Sequence, residues 1–124
     1  MQTKSFHRIN GWYYVTSQTT DSLSQTPFLT VKDFDTLRLE TDAFGHSVIT
    51  GVFLQDKLPI WREATKKSIG KRIAFVFNDT VITAPQVNSP IESGCFQISN
   101  PHGYDLERIF RELQKEIDIS RFGN

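Results

Sequence analysis

At 124 residues the chain is long enough for one domain that buries about two-thirds of its unfolded surface without staples. Its 14 basic and 14 acidic residues cancel, so no global field draws it to nucleic acid or an anionic membrane. A single cysteine, Cys95, excludes an intramolecular disulfide, and no apolar run reaches the length of a membrane-spanning helix.

Residues 1–10 are polar and are expected to fray. Gly11-Trp-Tyr-Tyr-Val15 is β-prone and predicts a strand. Adjacent aromatics can stack on bases or sugars, but these lack a basic surround, which favours a structural reading. Residues 16–26, TSQTTDSLSQT, hold one apolar side chain, Leu23, and read as a mobile loop within the domain. Thr30 is placed to cap a short helical turn. Thr36 to Thr41 alternates with Leu37 and Leu39 facing in. Ser47 to Leu54 follows the turn Asp42-Ala-Phe-Gly45, which predicts a hairpin.

Asp56 is positioned to cap a helix running to about Ile69, with Pro59 tolerated in its first turn. Leu58, Trp61, Ala64, Thr65 and Ile69 form its inner stripe. The runs Lys71–Phe77 and Thr80–Thr83 are rich in β-branched and aromatic residues around a two-residue turn, Asn78-Asp79. That turn sets Phe77 opposite Thr80, Val76 opposite Val81 and Phe75 opposite Ile82. Both faces are apolar, so this hairpin is expected at the covered centre of a sheet. Pro85 stops regular pairing, and Gln86-Val-Asn-Ser89 reads as an arm closed by Pro90. A third short strand, Cys95–Ile98, follows Gly94, with Cys95 read as a small buried apolar residue. After Gly103, Leu106, Ile109, Phe110, Leu113 and Ile117 keep an amphipathic helical period, and residues 119–124 are expected to fray. The order predicts a single α+β domain over residues 1–124, a mostly antiparallel sheet with two helices packed on one face.

The chain shows no catalytic chemistry. His7, His46 and His102 lie in unrelated segments without the spacing of a zinc site, and no phosphate loop, nucleophile elbow or Cys-x-x-Cys is present. No catalytic, cofactor-binding or metal-binding residue is assigned, and no cofactor is expected. Lys66, Lys67, Lys71 and Arg72 cluster at the end of the first helix, where positive charge suits a helix C-terminus.

The stretch GKRIAFVFNDTVITAPQVNSPIESG, residues 70–94, resembles the head subdomain in the first periplasmic domain of SecD, the accessory subunit of the bacterial protein-export channel. Gly70, Lys71, Arg72, Val81, Ile82, Ala84, Pro85, Pro90, Ile91 and Gly94 carry the match, and weaker similarity extends from about Ser47 through the last helix. The chain departs from the family at Asn78-Asp79, where Asp-Gly chemistry is usual, and at Ser93, where a second glycine is usual. The resemblance implies a freestanding, non-enzymatic protein-binding module of the cell envelope. It would engage an extended polypeptide or envelope protein, without nucleic acid and without spanning the membrane. Contact is expected near Gln86, Val87 and Asn88, on an arm whose sheet edge would be open to a partner strand. The alternative is a small immunity or inhibitor protein that blocks a specific toxin or enzyme. Location follows the gene start: the envelope or periplasm if a signal or lipoprotein leader was removed, the cytoplasm if Met1 is native.

Overall fold

The computed structural model describes residues 8–17 and 19–123, and the expectations for residues 1–7 and 124 lie outside them. The domain is α+β, with eight strands, β1 (Gly11–Ser17), β2 (Ser22–Leu23), β3 (Leu29–Thr30), β4 (Phe34–Thr41), β5 (Ser47–Phe53), β6 (Ile73–Phe77), β7 (Thr80–Thr83) and β8 (Cys95–Ile98), and two helices, α1 (Leu58–Lys67) and α2 (Leu106–Phe122), among the described residues. The strands divide between two antiparallel sheets, one ordered β2-β1-β6-β7 with β3 also on β1, the other β4-β5-β8. One apolar cluster joins them, from Trp12, Phe75 and Ile82 through Phe34, Phe53 and Phe96 to Leu113 on α2.

β6 lies where its composition places it, inside the sheet with all five residues buried, but β7 is the edge strand, its first two residues half-buried, so the hairpin is not a central pair. Asn78 and Asp79 adopt φ of 50° and 63°, the left-handed pair that a primed two-residue turn requires. Phe77 pairs with Thr80 and Val76 with Val81 as that turn dictates. Phe75, however, pairs with Thr83, not Ile82, because the register shifts by one residue beyond Val76. The shift leaves both Phe75 and Ile82 buried, and the buried Thr83 hydroxyl lies 2.8 Å from that of Ser99. On the other side of β6, Trp12 pairs with Phe75 and Tyr14 with Ile73.

In the second sheet, β5 is central, with Leu37 and Phe96 flanking Gly51. An ideal Cβ at Gly51 would stand 2.3 Å from Phe96 Cζ, so the ring occupies the space that any side chain there would need. Phe53 N–H donates to the Gly94 carbonyl at 2.9 Å, and a Cβ at Gly94 would meet Leu58 Cδ1 at 2.5 Å.

Several local expectations are corrected. Asp56 caps nothing: it lies inside a 3-10 turn, Gln55–Lys57, and α1 starts at Leu58 without a side-chain cap. Trp61, Ala64 and Thr65 are buried as the stripe predicts, but Ile69 lies beyond the helix end and is exposed. Part of the 16–26 segment is strand. Val15 pairs with Leu23 and Ser17 with Ser22, while the Ser24 hydroxyl accepts the Tyr14 N–H at 3.2 Å. Its Ser and Thr hydroxyls supply partners that a purely hydrophobic reading overlooks. At the N-terminal side, Asn10 is a clamp: its Oδ1 accepts the Asn78 N–H at 2.8 Å and its Nδ2 donates to Glu116 at 3.0 Å. At the other end α2 continues to Phe122, where Arg121 donates to the Phe34 carbonyl. Asp105 caps α2, accepting from the Arg108 N–H at 3.1 Å.

The β4–β5 turn yields a titration prediction. Asp42 Oδ1 accepts the N–H groups of His46 and Phe44, both at 2.9 Å. The His46 N–H bond, joined by that of Phe44 and the nearby imidazole, holds this carboxyl below its ordinary value of 3.8 and outweighs the opposing effect of desolvation. A folded pKa below the unfolded one stabilises the turn above 3.8 and loses that contribution as pH falls through the folded pKa. The amide resonances of Phe44 and His46 are expected to titrate together with a midpoint under 3.8. A midpoint at or above that value refutes the turn geometry.

Candidate functional site

Pro85 ends β7 as expected, but the arm beyond it is not an open edge. The Gly70 N–H donates to the Val87 carbonyl at 2.7 Å, and the Val87 N–H donates to the Lys71 carbonyl at 2.8 Å. The Ile73 N–H reaches the Pro85 carbonyl at 3.1 Å. Isolated bridges, Ile69 with Val87 and Arg72 with Gln86, thus replace a regular ladder. Downstream, the Ile91 N–H donates to the buried Thr65 hydroxyl at 3.0 Å, and Arg62 Nε to the Glu92 carbonyl at 2.8 Å. The arm is a strap running from the hairpin along the end of α1.

This corrects the premise for the arm residues. Val87 is buried in the common core, and its backbone groups are taken. Gln86 and Asn88, its neighbours, turn outward and are exposed. The extended backbone projects successive side chains to opposite sides, so one strap residue packs while two face solvent.

Beside the strap a surface hollow of about 320 Å³ is bordered by Trp12, Trp61, Ile73, Val87, Ile91, Phe96, residues of the strap and Gln97, with the two indoles, Ile73, Val87 and Phe96 almost wholly buried at its floor. The two indoles pack at 5.5 Å between ring centroids, and Phe53 and Phe96 extend the aromatic cluster. Both indoles are 1% exposed, and neither Nε1 has a hydrogen-bond partner among the described residues. Sequence reasoning placed Trp61 on a core stripe, which holds, and put Trp12 in a strand expected to alternate between core and surface, whereas the adjacent Trp12 and Tyr13 are both buried. What it passed over is that an indole carries a donor, which a fully apolar core cannot satisfy.

The other candidate groups remain apart. His46 sits at the β4–β5 turn and His102 beside Tyr104 in the segment before α2, while His7 lies outside the described residues. Among the described residues no group of three His, Cys, Asp or Glu side chains could hold a metal ion. Cys95 is exposed, because β8 turns Phe96 and Ile98 inward and so turns Cys95 out. In the basic cluster, Arg72 forms an ion pair with Asp21, and Lys67 Nζ stands 5.6 Å above the Tyr14 ring. No helix among the described residues is long and apolar enough to cross a membrane.

The sequence profile of the SecDF P1 head subdomain matches residues 10–104, from the Asn10 clamp through the strap to the segment before α2. The chain belongs to the SecDF P1 head subdomain family. It is 34% identical over 71 residues to the protein translocase subunit SecD of Acidaminococcus fermentans, covering 57% of this chain and 17% of that one. It is likewise 34% identical over 68 residues to the protein translocase subunit SecDF of Thermus thermophilus, covering 55% of this chain and 9% of that one. A solved structure of SecDF, described as a membrane component that enhances protein export, superposes with a TM-score of 0.60 at 32% identity, over 64% of this chain and 36% of that one. The SecD head-like chain therefore corresponds to a small part of each relative.

Proposed function

We propose that this chain is a non-enzymatic protein-binding module of the bacterial cell envelope, using the SecD head fold to hold an extended polypeptide or envelope protein. The observation that carries the reading is the family match, whose span of residues 10–104 includes the hairpin and the strap. The relatives' names support it, since a protein translocase subunit handles polypeptide chains. Among the described residues the site offers walls and hydrogen-bond donors, and no paired acid and base. Contact with the partner is assigned to the strap at Gln86, Val87 and Asn88, with Gln86 and Asn88 presenting their side chains and Val87 fixing the backbone between them. No specific observation favours the inhibitor alternative.

A photo-crosslinking residue at Gln86 or Asn88, read in cells by mass spectrometry, tests this assignment. Adducts with several envelope or exported proteins are the expected result. A single partner bound at nanomolar affinity, encoded beside this gene, supports the inhibitor reading instead. No protein adduct at either position overturns the strap as the contact.

A further inference from the structure

Lys66, Lys67, Lys71 and Arg72 crowd four positive charges into residues 66–72 of a chain whose charges otherwise cancel. Three of them, Lys67, Lys71 and Arg72, border one surface hollow of about 400 Å³ together with Tyr14 of β1 and Ser24. None of the described residues lining it is acidic. Arg72 is paired with Asp21. Among the described residues neither Lys67 nor Lys71 has a carboxylate within ion-pair distance, so two positive charges remain uncompensated at one concave surface. The helix dipole accounts for Lys66 and Lys67, the last two residues of α1. Its effect falls off within the last turn and does not account for Lys71, which follows the reversal of the chain at Gly70, φ 82°. The Lys71 backbone is pinned there: its N–H donates to the Ser68 carbonyl and its carbonyl accepts the Val87 N–H, both at 2.8 Å. Lys67 Nζ is steadied by the Tyr14 ring at 5.6 Å, and Phe28 packs on that ring at 4.6 Å between centroids. Both lysines are exposed, so their donors are open to a ligand.

We propose that this hollow binds a phosphate group, with Lys67 and Lys71 as its charged contacts and Arg72 as a fixed positive border. Like charges around one concavity repel, and a seated anion removes that repulsion. An ammonium directs three donors without a planar preference, which suits the oxygens of a tetrahedral anion. The fork that would select a planar carboxylate, the Arg72 guanidinium, is engaged by Asp21. A neutral chain supplies no long-range attraction, so binding is local to the hollow and weakens as salt rises. The same chemistry is offered by free phosphate and by the head of an anionic phospholipid, and exposed lysines can meet either. The site does not depend on the protein-binding reading.

Titration of the ¹⁵N-labelled chain with sodium phosphate at constant ionic strength tests the site. Saturable shifts are expected at the amides of Tyr14, Lys67, Lys71 and Arg72, with roughly tenfold weaker binding in the double variant Lys67→Gln, Lys71→Gln. Both positions are exposed, and an unchanged thermal midpoint shows that the variant is folded. Sodium acetate is the planar comparison and is expected to bind more weakly. Equal affinity for the two anions overturns the phosphate selection, and undiminished binding by the double variant overturns the site. Vesicles separate the two sources. Cosedimentation with phosphatidylglycerol but not phosphatidylcholine vesicles, lost in the variant, assigns the hollow to a lipid headgroup. Saturable phosphate shifts without cosedimentation assign it to a soluble phosphate. No saturable shift at tens of millimolar phosphate, with no cosedimentation, overturns the proposal.

Discussion

Phe75→Ala is expected to lower the unfolding free energy by about 3–5 kcal/mol in a urea melt, through lost burial and the cavity left behind. Phe75 is fully buried, with its ring centroid 5.5 Å from Trp12 in its own sheet and 6.2 Å from Phe34 in the other. It is therefore a contact between the sheets as well as a residue of β6. Close packing on both sides leaves little room for collapse around the missing ring, which places the effect towards the upper part of the range. A loss below about 1 kcal/mol would show that β6 is not the centre of the core.

That centre was legible because composition and turn chemistry agreed. β-Branched and aromatic residues on both faces of Ile73–Phe77 demand cover, and Asn78-Asp79 tolerates the positive φ of the turn. The amphipathic period of α2 was equally clear, since Leu106, Ile109, Leu113 and Ile117 are buried on one side. Features made by hydrogen bonds between distant segments were not legible. The register shift that sets Phe75 opposite Thr83 accompanies a hydroxyl pair with Ser99, and nothing local to β7 announces it. The end of α2 is fixed against the Phe34 carbonyl by Arg121, 87 residues away in sequence. For the candidate site, proline punctuation located the strap correctly but suggested an open edge. Its acceptors and donors come from Gly70 and Lys71, just before β6, and from Ile73 at its start, and pattern reading pairs that run only with β7.

Val87→Asp tests the strap directly and is expected to cost about 3 kcal/mol or more, combining a lost buried valine with a carboxylate placed among apolar walls. Among the described residues that line the hollow none is charged, so no lining cation meets this carboxylate. Were residues 85–90 a free arm, the substitution would change stability by no more than about 0.5 kcal/mol, as at ordinary surface positions. Amide hydrogen exchange supplies a second reading. The Gly70 and Val87 amides, both bonded across the strap, are expected to lose protection together in the variant before the β6 amides do. Protection at Gly70 that survives the substitution would mean that the strap is held by something other than Val87.

The ring of Phe96 over Gly51 works as an index pin. Sliding β8 by two residues along β5 would carry that ring onto Ile49 or Phe53, whose own side chains fill the space it needs. β8 consequently has one seating, and Gly94, pressed against Leu58, fixes the residue immediately before it. The hairpin fixes the other end at Thr83. The chain between these two points is a span of set length bolted at both ends, so added residues have nowhere to go except outward, as slack in the strap above the tryptophans.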